Sequence, residues 1–302
     1  MPEADSFKLL DAPVLTRLMA QPLVTRFPMQ GNVSGHHKSP HRGSSIEFAE
    51  YRNYEPGDDI RRLDWRVYGR TDRFYMKEFE AETNLRCYLV LDTSGSMAFR
   101  SDHGVKFDYA KRLAATLAYL VIHQGDAAAL VCSGESKSLD IPPRRNPGHL
   151  KIILDQLAEA QPRGETRLPK TLHDLAEKIR PRAMVMVISD FFCETEDLVS
   201  ALQHLRYQKH DVALFQLLDR KEIDFAFDRP VRFVDLEGTA SVICEPALVR
   251  EEYLDALQGF LARLKRVSVE IKADYRQVHT DQDYEKVLAQ FLAERAEQVG
   301  AA

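Results

Sequence analysis

The pattern of apolar and polar positions changes character near residue 85. Before it, apolar residues are scattered. Residues 7–20 (FKLLDAPVLTRLMA) carry leucines at near-helical spacing broken by Pro13, which predicts one or two short helical turns. Residues 28–45 are Gly, Ser, Pro, His and basic residues, the composition of a loop. Residues 46–83 are dense in charge and aromatics. A turn signal at Glu55-Pro56-Gly57-Asp58, with alternation on either side, predicts short strands or extended segments. Beyond residue 85, short uninterrupted apolar runs alternate with amphipathic ones. Arg86–Leu91 and Ala183–Ser189 read as strands buried on both faces, and each stops at an aspartate, Asp92 and Asp190. Residues 105–123 place Phe107, Ala110, Leu113, Ala114, Leu117 and Val121 on one stripe, an amphipathic helix.

The remaining runs predict strands at Ala127–Cys132, Ser138–Pro142, Val212–Leu218 and Val267–Ala273. Helices are predicted at His149–Ala158, Leu168–Ile179, Glu194–Tyr207, Pro246–Leu264 and Asp281–Glu297. Residues 221–245 read as an insertion of short extended pieces. Strands alternating with helices predict an α/β fold, a doubly wound and mostly parallel sheet with helices on both faces. It occupies residues 85–302, behind an N-terminal segment of residues 1–84 with short strands.

Composition narrows the class without naming a chemistry. The 302 residues are 44% hydrophobic and 29% charged, enough apolar material for a real core. A net charge of −5 gives no global case for nucleic-acid binding. No apolar run approaches the length of a membrane span, and the acidic start lacks the pattern of a signal peptide, so a cytoplasmic protein is expected. Cys87, Cys132, Cys193 and Cys244 are far apart, without C-x-x-C spacing, and are expected to be buried thiols rather than a zinc or disulfide framework.

The sharpest chemical feature is Asp92-Thr93-Ser94-Gly95-Ser96-Met97 at the carboxyl end of the first central strand. Open α/β sheets bind ligands there, at the switch point of the strand order. Asp92, Ser94 and Ser96 supply one carboxylate and two hydroxyls, and Gly95 permits a turn tight enough to aim both serines at one point. These are hard oxygen donors, suited to Mg²⁺, Mn²⁺ or Ca²⁺. In this fold two more donors come near: Thr166, in the Gly164-Glu165-Thr166 loop, and Asp190 at the end of its strand. Another reading of Asp92–Ser96 is a polar turn capping the next helix, and Thr166 and Asp190 each have a capping reading too.

The order D-x-S-x-S, loop threonine, strand-terminal aspartate resembles the metal-ion-dependent adhesion site of von Willebrand factor type A domains. The resemblance implies that Ser94, Ser96 and Thr166 contact one cation directly, with Asp92 and Asp190 acting directly or through water. A position left open on the cation would then accept a carboxylate from another protein. The preceding segment resembles the bacterial domain-of-unknown-function-58 (DUF58) family: Glu47-Phe48, Arg52, Tyr54, Pro56-Gly57-Asp58, Arg61, Asp64-Trp65 and Lys77 recur in order before the metal motif. That resemblance implies a partner among MoxR-type AAA+ ATPases.

The expected function is therefore a metal-dependent, non-enzymatic protein-binding module. Two alternatives use the same residues. A metal-dependent phosphohydrolase would use the cation as a Lewis acid, but haloacid dehalogenase-type enzymes want an acid two positions after the first aspartate, where Ser94 stands. An adhesion-type surface domain would require export. Asp58, Asp59, Arg61, Arg62, Asp64 and Arg66 read either as a partner surface or as a salt-bridged network. Trp65 reads as core, and His36, His37 and His41 as part of a solvated basic loop.

Overall fold

The computed structural model describes residues 6–26, 47–53, 65–71, 75–80, 85–134, 139–227, 229–238 and 240–300. The chain divides into two compact units, Phe27–Leu85 on one hand and Met1–Arg26 with Arg86–Ala302 on the other.

In the smaller unit, β1 (Glu47–Asn53) pairs antiparallel with β2 (Tyr75–Glu80), with a register irregularity between Phe48 and Glu50. A helix, α2 (Trp65–Thr71), falls between them in sequence where only extended structure was expected. The Glu55–Asp58 turn signal, Asp58, Asp59, Arg61, Arg62, Asp64 and the loop with His36, His37 and His41 lie outside the described residues, as do the side chains of Trp65 and Arg66.

The larger unit is built on a mixed six-stranded sheet. Its members are β3 (Arg86–Asp92), β6 (Ala127–Ser133), β7 (Leu139–Arg144), β8 (Met184–Ser189), β9 (Asp211–Leu218) and β12 (Asp274–His279). The order is β12-β9-β8-β3-β6-β7, and only the edge strand β7 runs antiparallel. A two-residue ribbon, β4 (Arg100–Ser101) with β5 (Gly104–Val105), follows the Asp92–Met97 segment. The helices are α1 (Ala12–Leu18), α3 (Lys106–His123), α4 (Pro147–Glu159), α5 (Leu168–Lys178), α6 (Thr195–Tyr207), α7 (Arg220–Asp224), α8 (Pro246–Glu270) and α9 (Tyr284–Gly300).

Strand periodicity explains the two cores. Val90, Val131, Val185, Val187, Val212 and Leu214 share a buried cluster with Leu172 of α5, Leu198 and Leu202 of α6, and Leu264 and Val267 of α8. Phe215, one position on from Leu214, points the other way and meets Phe291 of α9 with ring centroids 4.9 Å apart. Each fully buried leucine contributes about 1.5–3 kcal/mol, so the runs that identify the strands also hold them together.

One expected strand is wrong. The apolar run Val267–Ala273 predicts the last strand, but α8 continues to Glu270 and the strand is Asp274–His279. Leu264, Val267 and Ile271 recur at helical spacing against the cluster, so their apolar character serves the end of a helix. β12 reads as polar because it is an edge, paired only with β9. The 221–245 insertion is α7 followed by an antiparallel hairpin, β10 (Val231–Val234) with β11 (Ser241–Cys244).

At the amino ends of β9 and β12, the guanidinium of Arg295, itself 1% exposed, donates to Asp211 and Asp274 and to the carbonyl of Val24 at 2.9 Å. Arg26 adds a second cation, 3.0 Å from Asp274. This buried network ties residues 24–26 to the end of the sheet opposite the Asp92–Met97 segment. All four cysteines are free; Cys87 and Cys132 are buried, while Cys193 and Cys244 are partly exposed. Among the described residues no helix is long and apolar enough to cross a membrane.

Candidate cation site at the carboxyl ends of the central strands

From β3 the chain passes through α3 to β6 on one side; from β8 it passes through α6 to β9 on the other. The crevice between the carboxyl ends of β3 and β8 is therefore the switch point. Asp92 ends β3, and Asp190 follows β8 directly.

Hydrogen bonds draw the three segments together. Oδ1 of Asp92 accepts from the Ser94 amide at 2.9 Å, and Oδ2 accepts from the Ser189 hydroxyl at 2.6 Å. Ser189 Oγ in turn accepts from the Phe191 amide at 2.8 Å. Phe191 sits at φ 62°, a left-handed conformation that costs a non-glycine residue energy and that burial of its ring holds in place. That turn leaves Asp190 1% exposed beside Asp92. The third segment is stitched to the first by backbone bonds: Gly95 N–H donates to Gly164 at 2.8 Å, and Arg163 N–H donates to Thr93 at 2.9 Å. Ser94 Oγ and Ser96 Oγ lie 3.0 Å apart.

Thr166 stands at this junction, its amide directed to the same Glu237 carboxylate that the Ser96 amide meets. Its hydroxyl accepts weakly from the Leu168 amide, at 3.4 Å, at the start of α5. Thr171, the neighbouring threonine, is spent elsewhere, paired with Ser133 Oγ at 3.0 Å. Asp190 accepts from the Phe192 amide at 3.1 Å but lies outside the helix that begins at Thr195, so its bond makes a local turn and not a cap.

Sequence reasoning missed three charged members. The ammonium of Lys106, first residue of α3, is fully buried and lies 2.7 Å from Asp190 and 2.9 Å from Glu222. Glu222 closes a capping box with Asp219 on α7, and that D-x-x-E spacing was the one readable signal. Glu237, in the turn between β10 and β11, directs Oε2 at the Thr166 amide, 3.2 Å away, and Oε1 at the Ser96 amide, 3.4 Å away. Nothing in the local sequence sets Lys106 or Glu237 apart from surface charges.

The electrostatics favour a cation. Burial, and then the negative charge of Asp190, push the Asp92 carboxyl up to about 7, even though Ser189 and Ser94 donate to it. Burial would depress the Lys106 ammonium, but Asp190 and Glu222 outweigh it and hold its pKa above the ordinary value. One ammonium thus faces the carboxylates of Asp190 and Glu222, with Asp92 and Glu237 close by.

The donor set fits a hard divalent ion. Six oxygens at about 2.1 Å from a Mg²⁺ put adjacent ligands about 3.0 Å apart, the separation of the two serine hydroxyls. Among the described residues no group of three or more His, Cys, Asp or Glu is arranged around one point, so an ion here relies on hydroxyls as well as carboxylates. Ser94, Ser96 and Thr166 would hold it, with Asp92 inside or just outside the coordination sphere. Asp190, committed to Lys106, fits the outer role. Beside these groups opens a cleft of about 940 Å³, lined by Ser96, Thr166, Phe192, Glu222 and Glu237 among others.

The model of a family described as "Protein of unknown function DUF58" matches residues 50–259. An uncharacterized protein of Mycobacterium tuberculosis, Rv1480, is 26% identical over 294 residues, covering 94% of this chain and 90% of that protein. YeaD, an uncharacterized protein of Bacillus subtilis, is 32% identical over 151 residues, 47% of this chain and 35% of that one. Among solved structures, BatB from Bacteroides thetaiotaomicron is similar at 15% identity and a TM-score of 0.49, covering 71% of this chain and all of that one. A von Willebrand factor type A protein from Catenulispora acidiphila is similar at 15% identity and a TM-score of 0.40, covering 74% and 44%.

Proposed function

This chain belongs to the DUF58 family of proteins of unknown function, and from that premise we propose that it is a metal-dependent protein-binding module, an adaptor working with a MoxR-type AAA+ ATPase in the cytoplasm. The observation that carries the metal site is the convergence of three loop tips. The Ser94 and Ser96 hydroxyls stand at octahedral-edge spacing, the Thr166 loop is bonded to their turn, and buried Asp92 and Asp190 lie beneath.

Binding follows from the balance of donors. Neutral hydroxyls leave a divalent ion with much of its charge, and a cleft opens beside it. An incoming aspartate or glutamate would gain a charge-strengthened bond there. The ion supplies that attraction; the chain supplies position, through the Gly95–Gly164 and Arg163–Thr93 bonds. Phosphoryl chemistry is disfavoured by Ser94, which stands where the second carboxylate of such a site would be. The choice of ATPase rests on family membership alone.

Affinity capture of a recombinant MoxR-type ATPase tests this reading, with wild type and Asp92→Ala, in Mg²⁺ and in excess chelator. Capture should require both Mg²⁺ and Asp92. Wild-type capture that persists undiminished in chelator, or capture by Asp92→Ala equal to wild type in Mg²⁺, would refute it.

A further inference from the structure

The turn of the β10–β11 hairpin rests directly on the metal motif. The backbone oxygen of Leu236 comes so close to Gly95 that a Cβ on that glycine would lie 1.9 Å from it, a contact only glycine permits. The turn itself is rigidly made. Asp235 N–H donates to Ala240 at 2.9 Å, Asp235 Oδ1 accepts from the Glu237 amide at 2.9 Å, and Gly238 leaves room for the Asp235 carboxylate. Behind the turn, Phe233 stacks on Phe225 at 5.6 Å, and Phe225 packs on Tyr253 of α8 at 4.4 Å. This aromatic stem aims the tip at the crevice.

Glu237 is the residue so aimed. Its two oxygens span the amides of Ser96 and Thr166, which belong to two of the three loops that gather the cation donors. A carboxylate bridging those loops stands where an incoming partner's aspartate or glutamate would have to enter. Four apolar side chains of the hairpin are exposed, Val234, Leu236, Val242 and Ile243 at 58, 44, 61 and 75%, with Val242 on the face of Phe233 and Val234 and Ile243 on the opposite one. The element covering the site is thus held, among the described residues, by one polar tip and one aromatic stem.

We propose that Glu237 is the chain's own carboxylate for the cation site, occupying the partner's position, so that the hairpin must swing away before a partner's acidic side chain can bind. The assignment rests on the metal reading above and adds an internal competitor to it. It makes the hairpin a gate with the Phe225–Phe233–Tyr253 stem as its hinge side.

The test uses the full chain, stripped of metal, with Mg²⁺ alone as the probe. Calorimetry gives Mg²⁺ affinity for wild type, Glu237→Gln and Asp92→Ala, and hydrogen exchange follows residues 231–244 with and without Mg²⁺. Glu237→Gln should weaken Mg²⁺ binding roughly tenfold or more, the scale on which groups supporting a metal site act. Mg²⁺ should slow hairpin exchange in wild type and leave the variant unchanged. If Glu237→Gln binds Mg²⁺ as wild type does, with the same protection of the hairpin, the gate is refuted while the metal site stands. If wild type binds no Mg²⁺, the metal reading fails and takes the gate with it.

Discussion

Replacing Lys106 by methionine tests the charge balance of the site most informatively. Methionine keeps an unbranched apolar stem and deletes the ammonium. In the wild-type protein that ammonium is fully buried and neutralises Asp190 at 2.7 Å and Glu222 at 2.9 Å. Removing one partner of a buried ion pair leaves a desolvated charge and costs about 3–5 kcal/mol. For a unit of this size each kcal/mol moves the melting temperature by about 2–4 °C, so a fall of roughly 6–20 °C is expected in chelator. The same deletion takes a positive charge away from the cation site. Mg²⁺ should therefore bind the variant more tightly and restore part of the loss, the stabilisation growing with the logarithm of Mg²⁺ over its Kd. Thermal melts of both proteins in chelator and in a Mg²⁺ series provide the assay. A variant that melts within a degree or two of wild type in chelator would refute the ion-pair reasoning. A Mg²⁺ response smaller than that of wild type would refute the competition between ammonium and cation.

Two further outcomes follow from groups remote from the site. Arg295→Leu leaves fully buried Asp211 only Arg26, whose guanidinium lies 3.5 Å away and whose amide donates at 2.9 Å, and should lower stability by about 3–5 kcal/mol in denaturant melts without altering Mg²⁺ affinity; a loss under 1 kcal/mol would show that the network is dispensable. His210 is buried and its Nδ1 accepts from the Ala183 amide, and burial pushes its pKa down from 6.5 to about 4. Between those values the unfolded chain binds the proton and the folded chain does not, so stability is lost as pH falls from 6.5 towards 4, by up to about 3 kcal/mol. His210→Asn keeps an acceptor for Ala183 but does not titrate, so the wild-type-minus-variant stability should carry that slope; no difference in slope would contradict it.

The strands that carry the candidate site were legible because burial on both faces leaves unbroken apolar runs, and each run stops at an aspartate, Asp92 or Asp190, that lies at the crevice. Thr166 was legible through its loop. The contact of that loop with the Asp92–Met97 segment was not, because it runs through the backbone of Gly164 and Arg163, which any sequence could supply. The last strand was misplaced because Val267 and Ile271 are apolar for the sake of a helix end, while the edge strand Asp274–His279 needs few apolar residues. Lys106 opens an amphipathic helix, a place where a solvated lysine is ordinary; its burial is decided by Asp190 and Glu222, 84 and 116 positions away. Glu237 sits in a segment readable only as short extended pieces. What it touches depends on how the hairpin folds back over Gly95, a tertiary approach that no local pattern encodes.

Calorimetric titration of Mg²⁺ into chelator-stripped protein, wild type beside Asp92→Ala, addresses the cation site without needing any partner. Saturable binding of one ion by wild type, lost in an Asp92→Ala protein that keeps its circular dichroism, is the predicted result. Wild-type protein that takes up no Mg²⁺, Mn²⁺ or Ca²⁺, or an Asp92→Ala variant that binds as well, would contradict it.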